Sequence, residues 1–276
     1  MTRVLVLGAH PDDAEFFAGG LLASHREVGS TLKLISVTNG QSGHHSVPSP
    51  ELVLRRRAEA AKAGRVIEAE YVTWDFPDGS LQPTLELRLA IIREIRSFRP
   101  DLVLTHRPFD YHPDHRAVGQ AVQDASYMVL VPKILPDLSP PRIEPIVAYM
   151  IDLFTRPCPF RGDVILDVSK HWDSVMSMMD SHESQFYEWM PWIDGILESV
   201  PQDRDARRVW LEAWFSRKTQ ARIARFWQTS WGSKPKLLEA YEISEYAGKP
   251  SAMTLEKLFP GKRHSNESNF IGQELT

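Results

Sequence analysis

The chain has 276 residues, 42% hydrophobic and 25% charged, the balance of a soluble globular protein and not of a disordered or fibrous one. Its formal net charge is −4 and it carries no long basic tract, so it lacks the electrostatic footprint of a nucleic-acid binder. One cysteine, Cys158, excludes an internal disulfide and a thiolate cluster; any metal site must draw on the ten histidines and the carboxylates, and the cytoplasm is the default compartment. The apolar run Val4–Leu7 is too short for a signal-peptide core or a membrane span, and no membrane partner is expected.

Along the first half, short β-rich runs alternate with amphipathic stretches, the signature of βαβ units and a mostly parallel sheet. Strands are predicted at Arg3–Leu7, Leu32–Val37, Tyr71–Trp74 and Leu102–Thr105, and helices at Phe17–Val28, Glu51–Ile67 and Leu85–Phe98. In the last of these, Leu85, Leu89, Ile92, Ile95 and Phe98 recur at three- and four-residue steps, and the helix stops before Pro100. A proline-rich stretch, Pro132 to Pro145, is expected to run extended and to shape a pocket rim or a subunit contact; two more strands follow, at Ile146–Ile151 and Val164–Asp167. Beyond Ser169 the pattern is helical and crowded with rings, Trp172, Phe186, Trp189 and Trp214 among them, which burial assigns to packing before a ligand platform. The tail after Pro260 reads as polar and loose. The fold class is therefore α/β: a Rossmann-like, mostly parallel sheet flanked by helices over residues 1–170, and a helical C-terminal extension, 171–276, packed on it as one domain.

Two segments carry chemistry. Gly8-Ala9-His10-Pro11-Asp12-Asp13 lies at the C-terminal end of the first strand, where open parallel sheets bind ligands, although such a turn alone also serves as a helix cap. Asp110-Tyr111-His112-Pro113-Asp114-His115 follows the fourth strand, and its proline predicts a helix start that sets His112 and His115 on one side. Each is a weak signal alone; together, after two strands of one parallel sheet, they define a metal site. Imidazole and carboxylate suit Zn²⁺, with Fe²⁺ or another divalent ion as alternatives, and a catalytic site needs three protein ligands and one open position. His10, Asp13 and His115 are the expected ligands, Asp12 the general base, and His112 the donor to a developing oxyanion or to the leaving amine. Asp110 and Asp114 are expected to orient the ligand histidines, with His106 as a further strand-end candidate.

Ala9-His10-Pro11-Asp12-Asp13 and His112-Pro113-Asp114-His115 together resemble the metal-dependent de-N-acetylases of the PIG-L or LmbE-like family, over much of Val4 to about Gln185. One departure is Ala14, where many members place Glu directly after the Asp pair. The resemblance implies the same three zinc ligands and the same base. It also implies sugar contacts from Arg56, in Arg56-Arg57-Ala58-Glu59-Ala60, and from Asp78, in Phe76-Pro77-Asp78-Gly79. Thr38 to Gly43 resembles the family's glycine loop, and His182-Glu183-Ser184-Gln185 a late element at the site margin. From its loop position His44 is a further candidate for substrate binding, and so is His45.

The expected function is zinc-dependent removal of the acetyl group from an N-acetylated sugar or glycoconjugate of the N-acetylglucosamine type. Rivals are an amidase acting on a sugar-thiol conjugate or an antibiotic intermediate, and a non-catalytic sugar-binding module. A nucleotide-binding Rossmann protein ranks last, because the first turn lacks Gly-x-Gly-x-x-Gly. A homo-oligomer is left open.

Overall fold

The computed structural model describes residues 1–264. In chain order the core elements are β1 (Arg3–Gly8), α1 (Asp13–Glu27), β2 (Thr31–Thr38), α2 (Ser49–Val66), β3 (Glu70–Phe76), α3 (Leu85–Phe98), β4 (Leu102–Thr105), α4 (Pro113–Met128), β5 (Ile146–Met150) and β6 (Val164–Asp167). Then come α5 (Trp172–Asp180), a π-helical turn at Ser184–Trp189, α6 (Met190–Ile193), α7 (Arg204–Phe226), β7 (Leu238–Ile243), α8 (Ala252–Leu258) and β8 (Lys262–His264).

One sheet of eight strands runs β3-β2-β1-β4-β5-β7-β6-β8. β1 to β5 pair in parallel, whereas β7 is antiparallel to both β5 and β6 and β8 is antiparallel to β6. Two-residue alternation divides the core: Val4 and Val6 of β1 face one layer, with Leu21 of α1, Met176 of α5 and Phe215 of α7, while Leu5 and Leu7 face the other, with Ile91 of α3 and Val118 of α4. The order reverses between β1 and β4, which opens a crevice beyond their carboxyl ends, and both chemistry-bearing segments leave the sheet there.

The fold class is as expected, but the C-terminal extension is not wholly helical. β7 inserts between β5 and β6, and its Glu239, 2% exposed, accepts hydrogen bonds from Gly20 N (2.7 Å), Leu21 N (2.9 Å) and the Tyr241 hydroxyl (2.8 Å). The proline-rich excursion is pinned by Arg96, which donates to the carbonyls of Val129, Val131, Ile134, Leu135 and Leu138, and it lines neither cavity of the site. Of the tail expected to be loose, Lys262–His264 forms a strand, and residues 265–276 lie outside the described part. No described helix is long and apolar enough to cross a membrane.

Candidate metal centre

The β1–α1 turn presents Asp13 and Asp12 side by side. Asp13 folds back so that its Oδ2 accepts from His10 N at 2.7 Å, and a Cβ at position 8 would sit 2.9 Å from Asp13 Cβ, so Gly8 is what lets the carboxylate lie against the strand end. Asp12 occupies the N-cap position of α1 at φ +148°, yet makes no side-chain cap bond. Its Oδ1 instead accepts from Arg56 Nη2 at 3.4 Å. A capping role is thereby set aside, and the positive φ, a strain of about 1–3 kcal/mol, is held by tertiary contacts.

Across the crevice His112 caps α4: its Nδ1 accepts from Asp114 N at 3.1 Å, and Pro113 occupies the first turn. That bond fixes the neutral tautomer with its proton on Nε2. Burial, then the neighbouring His10 and His115, holds the His112 pKa below its usual value and keeps the ring neutral.

His10, Asp13 and His115 converge. His10 Nδ1 lies 3.2 Å from His115 Nε2 and 3.6 Å from Asp13 Oδ2, and His115 Nε2 is 3.4 Å from Asp13 Oδ1. A tetrahedral ion with bonds of about 2.0–2.1 Å sets its ligands on edges of roughly 3.3 Å; His10 Nδ1 and His115 Nε2 stand at that spacing, and each has a different oxygen of Asp13 close to it. The far nitrogens meet carboxylates: His10 Nε2 is 3.1 Å from Asp78 Oδ1 and 3.3 Å from Asp114 Oδ2, and His115 Nδ1 is 3.2 Å from Asp110 Oδ1. This is the arrangement in which a carboxylate fixes the tautomer of a metal-bound imidazole.

The electrostatics agree. Burial opposes the charged form of His115, but the Asp13 charge and Asp110 raise its pKa to about 9; His10 is likewise raised against burial by Asp114, Asp13 and Asp78. Burial would raise Asp13, yet His115 and His106 hold it well below the usual carboxylate range. A cluster of carboxylates that favours the charged form of two buried imidazoles would favour a bound cation in the same way. Asp12 differs: burial dominates, Arg56 pulls the other way, and the balance is a pKa of about 6.

The other predicted residues divide. Asp114 lies against His10 and Asp110 against His115, and Asp114 also accepts from Gly79 N (2.7 Å) and Leu81 N (3.1 Å). Arg56, 2% exposed, lines the cavity but spends its donors on Pro11 O (3.1 Å), Gly40 O (3.2 Å) and Asp12. A Cβ on Gly43 would overlap its Nη1, which explains the glycine loop. Asp78 also lines the cavity, with Oδ2 accepting from Ser42 N (3.0 Å) and Oδ1 on His10. His44 is not brought to the cavity: Nε2 meets Glu188 at 2.9 Å, Nδ1 accepts from Ser46 N and Val47 N, and His45 stacks between it and Trp192.

His106 and the His182–Gln185 element, both candidates from the sequence, come to the site, joined by Trp189 and Glu59, for which the sequence suggested no site role. His106 stacks on His115 with ring centroids 3.8 Å apart and sets Nε2 3.0 Å from Asp13 Oδ2. The π-helical turn brings Gln185 and Trp189 to the cavity, anchored by Ser184 N and Oγ on Glu59 at 2.9 and 2.6 Å. His182 lies 3.1 Å from Glu15, both fully buried; the His-x-Ser-Gln resemblance was the only signal for this element.

The strand order and the buried cluster at its reversal define an α/β protein with His and Asp side chains gathered where they could hold a cation. Residues 5–126 match the family model described as PIG-L, GlcNAc-PI de-N-acetylase. A diacetylchitobiose deacetylase of Thermococcus kodakarensis is 28% identical over 210 residues, covering 70% of this chain and 76% of that protein. A 4-oxalmesaconate hydratase of Pseudomonas putida is 23% identical over 193 residues, covering 67% of this chain and 74% of that one. Among solved structures, an N,N'-diacetylchitobiose deacetylase from Pyrococcus horikoshii superposes with a TM-score of 0.68 at 20% identity, covering 89% of this chain and 84% of the other, a likeness of fold.

Proposed function

We propose that this chain is a zinc-dependent hydrolase of the cytoplasm that removes the acetyl group from the amide nitrogen of an N-acetylated amino sugar, yielding acetate and a free amine. The observation that carries this reading is the meeting of His10 Nδ1 and His115 Nε2 at 3.2 Å, with Asp13 Oδ2 3.6 Å from the first and Asp13 Oδ1 3.4 Å from the second, and the Asp12 carboxylate in the same cavity. Two imidazoles and one carboxylate suit zinc and accept Fe²⁺. When bound, such an ion acidifies water and polarises a carbonyl.

The chain's own groups supply the rest. Asp12, ionised at neutral pH, takes the proton of the attacking water and passes it to the departing nitrogen. Arg56 fixes Asp12 and the turn before it, so the base meets the water without reorganisation. His112, with its proton on Nε2, donates to the acetyl oxygen as negative charge develops there. Asp78, Asp114 and Asp110 orient the ligand histidines, and His106 orients Asp13. Ser42, Asp78 and Arg56 line the cavity where the sugar hydroxyls would come to rest.

The test is acetate release from N,N'-diacetylchitobiose and a panel of N-acetylglucosamine conjugates, with 4-oxalmesaconate hydration run beside it. Metal-dependent acetate release, lost in Asp12→Asn, is the expected result. Hydration without acetate release from any conjugate would overturn the assignment in favour of the chemistry of the hydratase relative.

A further inference from the structure

Beyond Asp12 and Asp13 the cavity opens into a second chamber of about 440 Å³. Its walls are apolar and aromatic, with Phe16, Phe17, Phe154, Trp189 and Trp214. The charged groups on its far side are neutralised within the fold, with one exception. Asp152 receives Arg107 Nε and Nη2 at 2.6 and 2.8 Å; Lys218 pairs with Asp194 at 2.7 Å, which also accepts from Trp214 Nε1 at 3.0 Å.

The exception is Arg222. It is 5% exposed, lies over the rings of Phe16 and Phe17 at 4.7 and 5.1 Å, and makes one hydrogen bond, from Nη1 to Phe16 O at 2.9 Å. Among the described residues no carboxylate oxygen comes within 4.0 Å of it. The nearby Glu239 is tied to Gly20, Leu21 and Tyr241. Burial draws its pKa down to about 10, still high enough to keep the guanidinium charged at neutral pH. A guanidinium has five N–H donors; Nε and Nη2 make no hydrogen bond within the fold and are not sealed away from solvent, so they stand open to the chamber and to a ligand in it.

We propose that Arg222 is the anchor for a carboxylate carried by the substrate, so that the acetylated amino sugar bears an apolar or aromatic substituent ending in a single negative charge, seated between Phe17 and Trp214. The inference rests on the deacetylase reading for the position of the sugar, but not for the existence of the anchor. A planar carboxylate matches the guanidinium fork, and the aromatic walls match the group that carries it. The charge is limited to one because Asp12, Asp13 and Asp110 also line the chamber and would repel a dianionic phosphate.

The experiment compares 4-carboxyphenyl and 4-carbamoylphenyl N-acetylglucosaminides, which differ in charge and little in shape, together with the 4-phosphophenyl analogue. Binding to the metal-free full chain is measured by calorimetry, and KM on the zinc-loaded enzyme. The carboxylate should bind at least about tenfold tighter than the carboxamide. That ratio should collapse toward one in Arg222→Gln, with carboxamide binding unchanged, and take an intermediate value in Arg222→Lys, which keeps the charge but not the fork. Equal binding of the pair by the wild type, equal weakening of both in Arg222→Gln, or a phosphate preferred over the carboxylate would overturn the proposal. Should Arg222→Gln fail to fold, the wild-type ratio and its reduction in Arg222→Lys decide the matter, an unchanged ratio being contrary. Discrimination in binding without acetate release from either glycoside would leave the anchor standing and remove the deacetylase reading.

Discussion

Replacing Arg56 by methionine keeps the apolar stem and removes the guanidinium. Two acceptors are left without a donor, Pro11 O at 3.1 Å and Asp12 Oδ1 at 3.4 Å, whereas Gly40 O, at 3.2 Å from Arg56, keeps Gly43 N at 3.4 Å. An orphaned buried acceptor costs about 1–3 kcal/mol, and the low end applies because the adjoining cavity admits water, so the sum is about 2 kcal/mol. At ~2–4 °C per kcal/mol for a chain of this size, Tm should fall by roughly 4–8 °C. The turn that holds Asp12 at φ +148° also loses its brace. A shift of about 1 Å in a reacting group is worth ~10²-fold in rate, and kcat should fall by that order. Arg56→Lys, which reaches fewer of the acceptors, should fall between. The assays are calorimetric melting and steady-state acetate release. A Tm within about 1 °C of wild type, with KM raised and kcat unchanged, would refute this reasoning and leave Arg56 a contact for substrate hydroxyls alone.

Three further perturbations follow from the same geometry. Gly43→Ala, whose new Cβ would overlap Arg56 Nη1, should lower kcat with the arginine still present; full activity would show that the loop yields at no cost. Asp110→Asn and Asp78→Asn should each weaken metal affinity by about 10–100-fold in a chelator competition, and unchanged affinity would deny them their hold on His115 and His10. His25 is fully buried, with Nδ1 on Ser30 Oγ and Nε2 on Leu258 O at 2.9 Å each, and burial lowers its pKa from 6.5 to about 4. The unfolded chain therefore binds the extra proton between those values. The stability His25 confers is complete above pH 6.5 and declines as pH falls toward 4, by about 3 kcal/mol. Denaturant titrations of wild type and His25→Gln should converge over that window, and a difference constant with pH would contradict the assignment.

The meeting of His10, Asp13 and His115, the proposed ligand set, was legible because its members lie in two short segments, each placed by a strand end of the neighbouring β1 and β4. Asp110 and Asp114 were legible for the same reason. Arg56 and Asp78 were located, but their partners Pro11, Gly40 and His10 come from other loops, and spacing along the chain carries no record of them. His44 misled because a loop histidine looks alike whether it faces a cavity or caps its own backbone. The C-terminal region was hardest. β7 was hidden because its buried Glu239 breaks the apolar alternation of a core strand, being satisfied by backbone N–H groups of α1 more than two hundred residues away in sequence. The aromatic run was read as packing, which holds for Phe186 and Trp172, whereas Trp189 lines the site and Arg222 reaches the adjoining chamber from near the C-terminal end of α7.

The most direct test of the account is the position of the bound ion. Crystals of the zinc-loaded protein, measured at the zinc absorption edge, should give one anomalous peak about 2.0–2.2 Å from His10 Nδ1, an Asp13 carboxylate oxygen and His115 Nε2, with Asp12 unbound beside it. A peak held instead by Asp13, His106 and His115, or by His10, Asp78 and Asp114, groups whose donor atoms also converge, would contradict the ligand assignment and the role given to Asp12 with it.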